Sequence, residues 1–250
     1  MSSTPLASPQ MVLDSRMSYT SWIPADPDAC ARLLPRALRP AKNHAVYMNQ
    51  YVVDAAEQTT GFGAYSLTYL GLDLDGLFAP DNTTPARFFT HYLNSSERVR
   101  AYVRERGVPA TPGTTTVEVA DGIMTATTYD EGTAIIRTRA RVGSDVAVVA
   151  GHLRYITRVE NRLVSGLYPY VGDLATAYGV LSIEFLEPGH AVYALRPAAP
   201  LQVVAGSCFY APRDSFVYPG GVEEMGPADG HGRTIAADAV PAIVAEPVPA

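Results

Sequence analysis

The feature that most constrains the fold is a run of short β-rich segments punctuated by tight-turn signals. "TTTVEV", "IMTATTY", "TAIIRTRARV" and "AVVAGHLRYITRVE" follow one another, separated by "ADG", "DEG" and "GSD". β-branched residues over a strand's length, bounded by Gly and Asp, predict a meander of hairpins and hence an antiparallel sheet. Earlier, "HAVYMNQYVVD" and "GAYSLTYLGLDL" flank "TTGFG" and predict another antiparallel pair. "LSIEFLE", "AVYALRP" and "LQVVAGSCFYA" carry the same character to about residue 218.

Helices are few. "ADPDACARLLP" offers Asp26 as N-cap and Pro27 at the first helical position, with Cys30, Leu33 and Leu34 on one face before Pro35, so a helix is expected over 27 to 34. "YLNSSERVRAYVRERG" places Glu97 three residues after Asn94, gathers Val99, Tyr102 and Val103 on one face and stops at Gly107, which predicts a helix over 95 to 106. The expected class is mostly β (α+β), one domain over residues 1–220. "GVEEMGPADGHGRTIAADAVPAIVAEPVPA" has no sustained period and reads as a tail, residues 221–250.

Charge narrows the function. Only 18% of residues are charged, the net charge is -6 and no basic run occurs, which argues against nucleic acid as a partner. No apolar stretch reaches the length of a membrane span and "MSSTPLASPQ" lacks the regions of a secretory signal, so the expectation is a cytoplasmic protein with no membrane partner. Cys30 and Cys208 lack partner spacing and read as reduced thiols. His44, His91, His152, His190 and His231 sit in separate segments without ligand spacing, so no metal is expected. There is no GxSxG, GxGxxG or phosphate loop, so no nucleotide or other cofactor is expected. Arg137, Arg139 and Arg141 alternate on one strand face, which reads as solvated or as a subunit contact. Glu118, with Thr114 and Thr116, faces either a pocket or solvent.

Four blocks, "TPLASP" at 4–9, "DPDACARLLPRAL" at 26–38, "TTGFGAYSL" at 59–67 and "YLNSSERVRAYVRERGVPAT" at 92–111, with "APLQVVAGSCFYAPRDSFVYPG" toward the end, resemble successive blocks of the acetoacetate decarboxylase family. The resemblance implies an antiparallel β-cone or barrel with a few short helices around a buried pocket, in a homo-oligomer. In that family a lysine after the proline of the "GVPAT" turn forms a Schiff base, activated by a second lysine beside it. Here Ala110 and Thr111 follow Pro109, and Leu67 in "YSL" replaces the family's glutamate. The sole lysine of the chain, Lys42, lies in the loop "RPAKNH" and reads as solvated. A further family carboxylate falls near Gln50 or Asn49, and the family's arginine corresponds to Arg16, unless Arg16 pairs with an acid such as Asp14 or faces solvent.

These correspondences imply a site in which Arg16, Tyr65 and Gln50 are the catalytic candidates and Asn49, Leu67, Val108, Ala110, Thr111 and Glu118 bind substrate. The expected function is a non-covalent enzyme of specialised, polyketide-like metabolism, a cyclase, dehydratase or isomerase acting on a small keto or enol molecule. The alternatives are a protein that binds a small acid without turnover, and an atypical decarboxylase.

Overall fold

The computed structural model describes residues 6–219 and 222–230. In chain order the elements are β1 (Gln10–Trp22), α1 (Pro27–Ala31), β2 (Val46–Val53), β3 (Tyr65–Phe78), β4 (Pro85–Asn94), α2 (Glu97–Arg104), β5 (Ala110–Pro112), β6 (Thr114–Ala120), β7 (Ile123–Asp130), β8 (Thr133–Val142), β9 (Val146–Val159), β10 (Arg162–Ala175), β11 (Tyr178–Phe185), β12 (Phe209–Tyr218) and β13 (Glu223–Pro227).

Seven strands close a barrel in the order β12-β1-β2-β3-β4-β9-β10, with β10 returning to β12. All neighbours are antiparallel except β4 and β9, which run parallel through only two paired positions, Arg87 with Tyr155 and Phe88 with Ile156. A second sheet, β11-β8-β7-β6, packs on the outside of β2 and β3. The fold is thus the mostly-β barrel expected, and the β2–β3 and β6–β7–β8 hairpins form as read. The meander, however, stops at β8. β9 leaves it to join the barrel, and β11 occupies the vacated edge of β8.

Strand alternation sorts side chains between the barrel interior and the outer sheet. Tyr47, Tyr51, Tyr65, Leu67 and Tyr69 turn inward, into a core cluster that also holds Tyr92, Val99, Tyr102, Val108 and Ala110. Met48, Leu70, Leu72 and Val46 turn outward, against Ile135, Ile136 and Ile183 of the second sheet. Between these layers runs a polar seam: Thr68 shares hydrogen bonds with Thr115 (2.7 Å) and Thr128 (2.6 Å), and Gln50 Nε2 donates to Thr128 (2.9 Å).

Gly71 on β3 is fixed by a close approach. A Cβ there would lie 1.8 Å from the Phe88 carbonyl oxygen and 2.5 Å from the Tyr47 hydroxyl, so only glycine lets β4 and the Tyr47 ring sit where they do. Opposite it, the register shifts between Leu70–His91 and Gly71–Phe89, leaving Thr90 as an extra residue on β4. This bulge lets Phe89 and Tyr92 both point inward although three positions separate them.

Both helices are shorter than their sequence patterns. α1 is capped as expected, Asp26 Oδ1 accepting from Ala29 N (2.8 Å), but it ends at Ala31, and Leu33 and Leu34 continue as turns. α2 is capped by Ser96 rather than Asn94, whose Oδ1 instead accepts from Ser96 N (2.7 Å). Residues 222–230, read as tail, continue the fold: β13 pairs with β10, and Ala228 is buried beside Leu38, Leu163 and Ile156. The remaining tail positions, 221 and 231–250, lie outside the described residues.

Candidate active site

The barrel encloses a cavity of about 300 Å³. Its wall is built from inward positions of every barrel strand: Met17 and Tyr19 of β1, Asn49 and Tyr51 of β2, Tyr69 of β3, Arg87, Phe89 and Tyr92 of β4, Leu153 and Tyr155 of β9, Tyr168 and Tyr170 of β10, and Phe209, Asp214, Phe216 and Tyr218 of β12. Thr83 and Thr84 of the β3–β4 turn, Pro85 at the start of β4, and Gly206 and Ser207 before β12 complete the lining. Eight of these side chains are tyrosines. Phenol rings suit such a wall, combining large apolar area with a hydroxyl that must find a partner. Their packing is tight, with Phe89 stacked on Tyr155 at 4.4 Å and Tyr69 on Tyr92 at 6.0 Å.

The hydroxyls form two networks. Around Tyr218, Tyr51 (2.8 Å) and Tyr92 (2.8 Å) hydrogen-bond directly and Tyr65 bonds to Tyr51 (2.9 Å) and more distantly to Tyr218 (3.4 Å). Each phenol carries one proton. The four contacts engage the four protons, and the longest of them, Tyr65 to Tyr218, is the one a ligand would most readily replace. In the second network Asn49 Nδ2 donates to Tyr69 (3.0 Å), and Tyr69 and Tyr155 share one bond (2.8 Å), so these two phenols hold one proton in excess. Burial pushes Tyr51, Tyr65, Tyr69, Tyr92 and Tyr168 well above the ordinary phenol pKa. Tyr155 and Tyr218 are raised less, because the Arg87 charge and a bond to Tyr69 restrain the first, and bonds from Tyr51, Tyr65 and Tyr92 the second. At neutral pH the site therefore offers neutral O–H donors, with Tyr155 and Tyr218 best placed to share negative charge.

Arg87 supplies the cavity's positive charge. It is buried, bonded through Nε to Asp73 Oδ1 (3.2 Å) on the register-paired position of β3, and lies 4.8 Å over the Tyr19 ring and 5.4 Å over that of Tyr47. Burial holds the Asp73 carboxyl above its usual range, against the opposing pull of Arg87. Among the described residues, two buried polar atoms on the lining have no protein partner, Tyr19 Oη and Asn49 Oδ1. Among the described residues no group of three His, Cys, Asp or Glu side chains could hold a metal ion, and no helix is long and apolar enough to cross a membrane.

Of the residues singled out from sequence, Asn49 lines the cavity. Tyr65 stands one layer behind it, bonded to Tyr51. Leu67, Val108 and Ala110 belong to the core cluster beneath the tyrosines but not to the wall. The others lie elsewhere, and strand parity is the reason. Arg16 alternates with Met17, so it points out of the barrel, bonds Asp54 bidentately (2.8 and 3.0 Å) and donates to the Val117 carbonyl (2.7 Å). Gln50 alternates with Asn49 and Tyr51 and faces the threonine seam. Thr111 and Glu118 are exposed, as are Thr114 and Thr116, while Thr115 and Val117 between them are buried. Lys42 is exposed and outside the cavity. Arg139 and Arg141 are solvated, and Arg137 faces Glu184 at 3.9 Å. The tyrosine wall and Arg87 were missed, although the alternation of Tyr47, Asn49 and Tyr51, of Tyr65 and Tyr69, and of Tyr168 and Tyr170 is written in the sequence.

No protein-family model and no curated protein matches the sequence. Solved structures do. An acetoacetate decarboxylase superposes at a TM-score of 0.65 with 14% identity, covering 89% of this chain and 91% of that one. The acetoacetate decarboxylase of Legionella pneumophila gives 0.63 and 15%, over 89% and 90%. The enduracididine biosynthesis enzyme MppR complexed with pyruvate gives 0.61 and 14%, over 89% and 92%. At such identities the likeness speaks for architecture, and the chain carries the acetoacetate decarboxylase-like fold that its sequence blocks resemble.

Proposed function

We propose that the protein is an enzyme of specialised metabolism that acts without covalent catalysis on a small keto or enol molecule, in the class of isomerisation, dehydration or cyclisation. One observation carries this reading: the cavity wall combines neutral phenols, a spare proton on the Tyr69–Tyr155 pair and a buried guanidinium, but includes no amine. Such donors stabilise an oxygen that gains negative charge as a carbonyl becomes an enolate. An imine needs a lysine, and Lys42 is exposed and outside the cavity lining. The reading is supported by the MppR structures, one of which holds pyruvate and another the condensation product of pyruvate and imidazole 4-carboxaldehyde. In the proposed site Arg87 and Tyr155 meet the carbonyl or carboxylate oxygen, Tyr218 with its phenol partners gives a second donor, and the aromatic wall excludes water.

The test is deuterium uptake next to the ketone of pyruvate and acetoacetate in D2O, followed by NMR, with borohydride trapping in parallel. The expected result is exchange above the buffer rate with no change in protein mass, reduced roughly ten- to a thousandfold by Tyr155→Phe. A borohydride-stable adduct, or binding of both ketones with no exchange, would overturn the reading; the second result would favour a non-catalytic small-acid binder.

A further inference from the structure

We propose that Asp214 is the catalytic residue that takes and returns the substrate proton in this cavity. The proposal rests on the non-covalent keto/enol reading and adds to it the group that phenols and a guanidinium cannot supply, a base. Two register shifts place it. Between Val12–Phe216 and Ser15–Asp214, β1 carries one residue more than β12, and between Ser15–Asp214 and Met17–Ala211, β12 carries one more than β1. Strict alternation from Phe209 and Ala211 would bring Arg213 to the inner face. The extra residue on β12 reverses that phase, so Asp214 joins Phe216 and Tyr218 on the cavity wall and Arg213 turns out to pair with Asp173 (2.9 Å). On β1 the matching bulge holds Asp14 in the left-handed region (φ 50°), a strained backbone for a residue with a Cβ.

Asp214 is 3% exposed, yet among the described residues no side chain or N–H bonds its carboxyl; Ser15 Oγ donates to its main-chain oxygen instead. Room for it is made by Gly172, its register partner on β10, where a Cβ would lie 2.3 Å from Asp214 Oδ1. The groups around it are Ser15 from β1 and the Tyr170 phenol from β10, which senses Asp214, Arg87 of β4 and Asp81 of the β3–β4 turn. Arg213 and Asp173 satisfy each other outside, and Asp14 donates its N–H to Ser215. With burial unopposed, the Asp214 carboxyl is pushed up to about 7, where an acid and a base are both present at neutral pH.

In the step, an Asp214 oxygen forms an O–H bond with the proton as the C–H bond next to the carbonyl breaks. The C–H electron pair becomes the enol C=C, and the carbonyl π pair moves to oxygen, where phenol and guanidinium protons meet it. Asp214 then returns its proton to another carbon of the conjugated system, giving an isomer, or to a departing hydroxyl, giving water.

The experiment measures deuterium exchange into pyruvate against pH for the wild type, Asp214→Asn and Gly172→Ala. Calorimetric binding of 3,3-dimethyl-2-oxobutanoate, a keto acid with no hydrogen next to its ketone, runs beside it. Expected are a wild-type rate that rises through about pH 7 to a plateau, a loss of about a hundred- to ten-thousandfold in Asp214→Asn, a loss in Gly172→Ala, and binding retained in both variants. Asp214→Asn exchanging at the wild-type rate would overturn the assignment and leave the keto/enol reading standing. Binding lost together with exchange would make Asp214 a binding or structural group and also overturn it. A wild type that binds the probe but never exchanges would overturn both.

Discussion

Replacing Asp214 by Asn should stabilise the protein at alkaline pH and leave it unchanged in acid. An unfolded Asp ionises near 3.8, whereas burial raises the folded carboxyl to about 7. Between these values the folded state holds the proton that the unfolded state has released, so stability falls as pH rises through the interval and is level above it. At roughly 1.4 kcal/mol per pH unit, the interval amounts to about 4 kcal/mol at pH 8. Asn has the same shape and cannot ionise, so Asp214→Asn recovers that amount at pH 8 and almost none near pH 4. Relaxation and water entry reduce the figure, so a gain of about 2 kcal/mol or more fits the argument. For a chain of this size each kcal/mol moves the melting temperature by roughly 2–4 °C. The assay is urea unfolding of both proteins at pH 4.5 and pH 8, with thermal scans as a second probe. A difference that does not depend on pH, or an Asp214→Asn protein less stable at pH 8, would refute the reasoning.

Asp73→Asn strips Arg87 of its buried counter-charge and should destabilise by about 3–5 kcal/mol at pH 7 in urea unfolding, since a lone buried charge is left behind; a loss below about 1 kcal/mol would mean that the phenols and the Tyr19 and Tyr47 rings suffice to hold the cation. Arg16→Ala breaks an exposed pair with Asp54 and a charged hydrogen bond to the Val117 carbonyl, so unfolding free energy should fall by about 1–3 kcal/mol while deuterium exchange into pyruvate does not change, and a large drop in exchange would return Arg16 to the site.

The mostly-β character, the β2–β3 hairpin and the β6–β7–β8 meander were legible because hairpins are local: turn chemistry and alternation fix them within about twenty residues. The partnership of β9 with β4 and β10 was not, because nothing in "AVVAGHLRYITRVE" distinguishes a barrel strand from a fourth meander strand. The site failed for a related reason. A correspondence by blocks carried Arg16 and Gln50 into the pocket, but a strand shows neighbouring residues to opposite faces, so an error of one position moves a side chain from the cavity to solvent or to the outer sheet. Asn49 lines the cavity, and Tyr65 stands one layer behind it, because both share the phase of Tyr51 and Tyr69. Asp214 was hidden twice over: alternation read from Phe209 points to Arg213, and only pairing with β1 reveals the extra residue. Arg87, in the apolar run "ARFFTHYLN", was passed over because its counter-charge, Asp73, sits across a turn on another strand.

The two-position contact between β4 and β9 also bears on how the chain reaches its native state. Every other neighbour pair in the ring is antiparallel and zips over four or more rungs; this one gains only two for closing the loop from residue 87 to 155 across β5 to β8, while β1 and β12 close a longer loop still but over seven paired positions. Ring closure is accordingly expected among the last events of folding. Because Arg87 and Tyr155 are themselves one of the two paired positions, an intermediate with every hairpin formed but the ring open would have strands, hydrophobic surface and no pocket, and could neither bind nor turn over a substrate.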